Sequence, residues 1–142
     1  VPLDKNLPEH ELEGLLVRSE AECIVYGPQF EEQVSKFADS AELICMDGRL
    51  AEVVALGKQL REAGDTSYDN VIIKDDEMAI LLFTSGTTSA SKAVMLCHKN
   101  IASNIYDMQC TEKIYNTDVN IAFLPFHHMF GSTGILFFLA VK

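Results

Sequence analysis

Apolar positions recur with two different periods along this chain, and each change of period marks an element. In "LPEHELEGLLVR" (7–18) Leu12, Leu15 and Leu16 share one helical face, and Pro8 stands where a first turn tolerates a missing N–H, so the spacing predicts a helix. "ECIVY" (22–26) is short, β-branched and stopped by Gly27-Pro28, which predicts a strand. Phe30, Val34 and Phe37 predict a helix over "QFEEQVSKFA" (29–38), "ELICM" (42–46) a second strand, and "RLAEVVALGKQLREAG" a third helix closed by Gly64.

The second half continues the alternation. Residues 65–77, "DTSYDNVIIKDDE", have weak periodicity and read as a connection in which Asp75, Asp76 and Glu77 form a solvated acidic run. "MAILLF" (78–83) is unbroken and apolar, the pattern of a strand covered on both faces. "VMLCH" (94–98) fits either a short strand or a helix start, and "KNIASNIYDMQ" (99–109) places Ile101, Ile105 and Met108 on one helical side. "VNIAFLPF" (119–126) reads as a buried strand halted at Pro125. Strands that alternate with helices imply crossover connections, so the expected class is α/β with a largely parallel sheet. An acidic α/β portion (1–77) would precede a second portion (78–142).

Charge sharpens that division. Residues 1–78 hold 18 acids and 7 bases, whereas residues 79–142 hold 3 acids and 4 bases. A net charge of −10 argues against nucleic acid, whose binding needs basic surface to displace counterions. The near-neutral second half remains open to a small anion. At 48% apolar and 23% charged residues the chain can build a core, and no apolar run reaches the roughly 18–20 residues of a spanning helix. Cys23, Cys45, Cys97 and Cys110 are widely spaced, with no C-x-x-C pair and no His completing a zinc site. They read as reduced core thiols in a cytoplasmic protein, with no metal ligands among them. The chain opens at Val1 without Met and stops at Lys142 directly after "GILFFLAV", the pattern expected of part of a longer domain.

The apolar run of 78–83 turns abruptly into "TSGTTSASK" (84–92). Gly86 lets the backbone turn and a ligand come close, Thr84, Ser85, Thr87 and Thr88 can donate hydrogen bonds, and Lys92 adds a mobile positive charge. Such a set suits a polyphosphate and ill suits an apolar ligand. The phosphate loop G-x-x-x-x-G-K-[ST] and the dinucleotide fingerprint G-x-G-x-x-G are both absent, and "FTSGT" lacks the G-x-S-x-G elbow that would make Ser85 an acyl nucleophile. Ligand sites in open parallel sheets gather at the carboxyl edge of the strands. If the strands at 78–83 and 119–124 run parallel, "TSGTTSASK" and "PFHHMFG" emerge at one edge.

"FTSGTTSASKAVML" resembles the phosphate-binding loop of the adenylate-forming (AMP-binding) enzymes, whose pattern is close to T-S-G-T-T-G-x-P-K-G-V. Thr84, Ser85, Gly86, Thr87, Thr88, Lys92 and Val94 match, while Ser89, Ser91 and Ala93 replace Gly, Pro and Gly. "VPLDKNLPEHELEGLLVRSEAECIV" resembles the family's v-P-L-D-x-x-L-P-x-x-E-L segment upstream, and "FLPFHHMFG" its L-P-x-x-H motif downstream. All three stand in the family's order. The resemblance identifies the chain as part of the large N-terminal domain, without the small C-terminal domain, and "SKAVMLCHKNI" is most similar to fatty-acid-activating members.

What the resemblance implies is attack of a carboxylate on the α-phosphorus of ATP, giving an acyl-adenylate and pyrophosphate, followed by transfer to a thiol such as coenzyme A. It implies that Thr84, Ser85, Gly86, Thr87, Thr88, Ser89 and Lys92 hold the phosphates and Mg²⁺ shares their charge. It also implies that His128 contacts the reacting carboxylate and α-phosphate. His127 is the lesser candidate, since neighbours on an extended segment point oppositely. Phe126, Met129 and Phe130 read as packing residues that can also wall an acyl pocket. The expected function is an acyl-CoA synthetase acting on a long-chain fatty acid. Two alternatives are an adenylation domain loading an amino or aryl acid onto a carrier protein, and a non-catalytic nucleotide-binding module.

Overall fold

The computed structural model describes residues 1–84 and 91–140, which fall into two compact units.

The first unit spans residues 8–72. Pro8 opens helix α1 (Glu9–Ser19): its φ of −58° suits the entry, and its carbonyl accepts the N–H groups of Glu11 and Leu12, both at 3.0 Å. Glu9 and Glu11 near the start and Arg18 near the end complement the helix dipole. Leu15 and Leu16 face the core, and the helix stops at Glu20, which takes a left-handed φ of 51°. Strands β1 (Cys23–Tyr26) and β2 (Glu42–Cys45) pair in parallel, with Ile24 opposite Leu43 and Tyr26 opposite Cys45. Ile24, Tyr26 and Ile44 are buried.

The crossover between them differs from the single helix that its periodicity predicts over 29–38. A 3₁₀ turn at Pro28–Phe30, a short helix α2 (Glu31–Val34) and another 3₁₀ turn at Ser35–Phe37 follow one another. The Ser35 hydroxyl donates to the Glu32 carbonyl at 2.9 Å, and the Ala38 N–H reaches only back to the Ser35 carbonyl. A side chain that takes up a helical carbonyl in this way favours the tighter turn. Val34 still reaches the core. Lys36 bridges Glu9, at 2.7 Å, and Glu13, two carboxylates one helical turn apart on α1 that hold its ammonium above the usual range. Helix α3 (Arg49–Glu62) enters at Gly48 with φ 97°, a value that glycine adopts without steric cost.

Residues 1–7 and 73–142 form the second unit. Strand β3 (Met78–Thr84) pairs with β4 (Lys92–Cys97) antiparallel, from Met78 opposite Cys97 to Thr84 opposite Lys92. Leu81 and Leu82 are neighbours and both buried, so β3 is covered on both faces as its unbroken apolar run predicts. The segment 94–98, open to two readings in the sequence, is both: β4 passes at Cys97 directly into helix α4 (His98–Thr111). Asn100 Oδ1 accepts the Cys97 N–H at 3.0 Å, while the Glu77 and Asp75 carbonyls accept the N–H groups of His98 and Lys99 at 3.2 and 2.9 Å. The first turn of α4 is thereby capped. Helix α5 (Met129–Ala140) is apolar almost all round and buries Phe137 at 1% exposure.

The α/β class holds, with a parallel pair in β1–β2, and three expectations are corrected. The cysteines are not core residues, since Cys23 and Cys110 are exposed and Cys45 and Cys97 only half-buried. No strand forms over 119–126, and β3 pairs with β4 rather than with 119–124. Val119, Ile121 and Phe123 alternate as strand residues do, yet they are 91%, 77% and 77% exposed. A strand exists only where a neighbour completes its ladder of hydrogen bonds, and no described strand lies beside this segment. Among the described residues no helix is long and apolar enough to cross a membrane.

Phe137 is the most deeply buried large side chain described. Phe137→Ala is expected to destabilise by about 3–5 kcal/mol through the cavity it leaves. Leu139→Ala, on the same helix at 69% exposure, is expected to stay within about 0.5 kcal/mol, both read by urea unfolding.

Candidate active site

Two stretches of the second unit carry the chemistry anticipated in the sequence. The first is the end of the β3–β4 pair. Antiparallel register sets Thr84 directly opposite Lys92, which puts side chains about 4.5–5.5 Å apart at Cβ on one face, and both side chains are exposed. A hydroxyl donor and an ammonium thus flank the two ends of the connection between the strands. Ser85, Gly86, Thr87, Thr88 and Ser89, the remaining members of the expected phosphate-binding set, lie outside the described residues.

The second stretch is the turn of 124–132 that leads into α5. The His128 N–H donates to the Pro125 carbonyl at 3.1 Å and the His128 carbonyl accepts the Ser132 N–H at 3.2 Å, so the backbone of His128 is tied on both sides. The Ser132 hydroxyl closes the same turn by donating to the Phe126 carbonyl. The histidines do not point oppositely, as an extended segment would require. Their ring centroids lie 4.3 Å apart with planes inclined at 49°, because the chain here curls rather than extends.

Two residues of this site escape the sequence reading. Gly131, in the first turn of α5, is one. A Cβ there would stand 3.0 Å from the Pro125 carbonyl carbon, 3.1 Å from the Leu124 oxygen and nearer still to the Pro125 oxygen. Only glycine allows the helix to start this close to the turn. Asp4 is the other. Its Oδ1 accepts the Asn6 N–H at 2.9 Å and the Asn6 side-chain amide at 3.1 Å, leaving Oδ2 to face His127 Nε2 at 3.5 Å. Asp followed two residues later by Asn is a legible local turn. Nothing local names its distant partner His127. The Asn6 backbone N–H, and after it the charge of His127, hold the Asp4 carboxyl below its usual value of 3.8 against an opposing push from desolvation.

A cavity of about 520 Å³ adjoins the turn, bounded by Asn104, Met108 and Glu112 of α4, by Phe123 and Phe126, and by Phe130, Gly134 and Phe138 of α5. Its walls are mostly apolar carbon with a few polar atoms, the make-up of a small-molecule pocket. Among the described residues no group of three His, Cys, Asp or Glu side chains is placed to hold a metal ion.

Comparison with known proteins gives the same family. The AMP-binding enzyme family model matches residues 1–141. Luciferin 4-monooxygenase of Photuris pensylvanica is 30% identical over 112 residues, 71% of this chain and 20% of that protein. Fatty acyl-CoA synthetase B of Dictyostelium discoideum is 38% identical over 108 residues, 66% of this chain and 16% of that protein. Among solved structures, ATP-bound MatB from Rhodopseudomonas palustris superposes with a TM-score of 0.79 at 26% identity, covering 99% of this chain and 28% of that one. The chain thus spans about a fifth of the length of the curated relatives it matches.

Gly131→Ala is expected to cost about 1–3 kcal/mol and to shift the amide resonances of 124–128, because backbone must give way to the new methyl. Asp4 has a pH signature. Its folded pKa is depressed, so its contribution to stability is present above the unfolded value near 3.8 and is lost as pH falls through the lower folded value. Asp4→Asn should therefore lose the part of the acid-unfolding transition that lies below that pH, measured by circular dichroism.

Proposed function

The chain belongs to the AMP-binding enzyme family, and on that premise we propose that the protein carrying it activates a carboxylic acid with ATP, through an acyl-adenylate to an acyl-CoA thioester. The observation that carries this reading is the pairing of Thr84 with Lys92 at the mouth of the stretch that resembles the family's phosphate loop. A long-chain fatty acid is the proposed substrate. Support comes from the 38% identity to a fatty acyl-CoA synthetase and from the apolar cavity whose walls include Phe126 and Phe130, on either side of the two histidines in the sequence.

The physical task is to bring two anions together. Unit charges 4 Å apart repel by about 4 kcal/mol at an effective dielectric near 20, so the site must neutralise before it can position. Lys92 supplies the charge, and its place at the head of β4 anchors the long side chain to a strand rather than to a free loop. Thr84 donates a hydrogen bond beside it, with Ser85, Thr87, Thr88 and Ser89 as further donors and Gly86 allowing close approach. His128 stands at the N-terminus of α5, where the helix dipole favours a negative group, and is the residue proposed to meet the reacting carboxylate and α-phosphate. The exposed hydroxyl and amine at the strand ends fit the phosphates of ATP. Mg²⁺ would add countercharge, and no described residue is assigned to it. Coenzyme A enters as co-substrate. The unbridged thiols of Cys23, Cys45, Cys97 and Cys110 support a cytoplasmic setting.

Pyrophosphate exchange tests the assignment in the full-length protein. Exchange driven by long-chain fatty acids is expected; exchange driven only by amino or aryl acids would replace the substrate, and ATP binding without exchange would leave a non-catalytic nucleotide-binding module. Lys92→Ala is expected to lower exchange by about 10²-fold or more, and persistence at the parental rate would remove Lys92 from the phosphate site. The 142 residues alone are expected to form no acyl-CoA.

A further inference from the structure

The contact between Asp4 and His127 joins the amino-terminal segment of the second unit to the turn that holds the histidine pair. Asp4 is held before it reaches the histidine: both donors of Asn6 converge on Oδ1, and the Leu7 N–H closes the same turn on the Asp4 carbonyl at 3.2 Å. A carboxylate fixed in this way presents its second oxygen in one direction. That oxygen lies 3.5 Å from His127 Nε2, ion-pair range rather than a hydrogen bond, with the side chains 34% and 20% exposed. Partial shielding leaves the attraction less screened than on an open surface.

The next link is ring against ring. His127 meets the ring of His128 at 4.3 Å between centroids. The backbone of His128 is already fixed by Pro125 and Ser132, so its remaining freedom is the rotation of its side chain, and the ring contact described for it is with His127. A direct role for Asp4 in binding is opposed by sign, since a carboxylate repels both anionic substrates.

We propose that Asp4 is a positioning residue of the acid-activating site: it orients His127, and the His127 ring limits the rotamers open to His128. This rests on the assignment of His128 made above. A mere staple between residues 1–7 and the turn would act through stability. A positioning residue acts on turnover and acts through His127 alone.

The test compares Asp4→Asn, His127→Gln, the double variant and His128→Ala in the full-length protein, by fatty-acid-dependent pyrophosphate exchange, thermal unfolding and ¹⁵N spectra of the imidazoles. Asparagine keeps the size of Asp4 and the acceptor for Asn6, so folding is preserved. Asp4→Asn is expected to lower kcat about 10-fold with KM for ATP within about 2-fold, the scale of a small misplacement at a reacting centre. The ring resonances of both histidines move with it. The double variant is expected to be no slower than His127→Gln, because the two residues form one path. Losses that multiply in the double variant, unmoved ring resonances, or a parental kcat would each overturn the proposal. If His128→Ala leaves exchange unchanged, the assignment of His128 fails and takes the proposal with it. A loss at His128 without one at Asp4 overturns the positioning role alone.

Discussion

The close approach of Gly131 to the Pro125 carbonyl governs the geometry of the histidine turn. Glycine inside a helix ordinarily costs about 0.5–1 kcal/mol relative to alanine, so its presence in the first turn of α5 is explained by what the missing methyl permits. With no Cβ in the way, the helix begins directly beneath the turn, His128 donates back to Pro125 and Ser132 closes onto both His128 and Phe126. The pair of rings, the contact with Asp4 and the wall formed by Phe126 and Phe130 all depend on that closure.

Local signals were legible where a residue's neighbours along the chain decide its conformation. The helices at 9–19 and 49–62, the strands at 23–26 and 42–45 and the covered strand at 78–84 follow from period, Pro8, Gly64 and the unbroken apolar run. Failures came where a hydrogen bond or a partner decides. Ser35 diverts a helical carbonyl and splits the element at 28–37, a side-chain choice that hydrophobic spacing does not register. The segment 119–126 has the pattern of a strand, but the ladder that would make it one requires a neighbour that the described residues do not supply.

The site divides along the same line. Thr84 and Lys92 were identifiable by residue type, and their direct opposition became visible only through the register of β3 and β4. Asp4 and Gly131 sit inside stretches that carry the family resemblance. Their roles are not legible there because one depends on a partner remote in sequence and the other on the shape of the backbone facing it.

The passage from β4 into α4 has a mechanical consequence. Six extended residues followed by fourteen helical ones, joined at Cys97 without a loop, make a continuous member whose two arms are each about 20 Å long. One end carries the amine of Lys92 and the other carries Glu112 and Met108 on the wall of the apolar cavity. A joint of this kind has no slack, since Asn100, Glu77 and Asp75 take up the backbone groups that a hinge would have to free. The direction in which β4 leaves its partner thus also sets the direction of the helix that walls the greasy chamber.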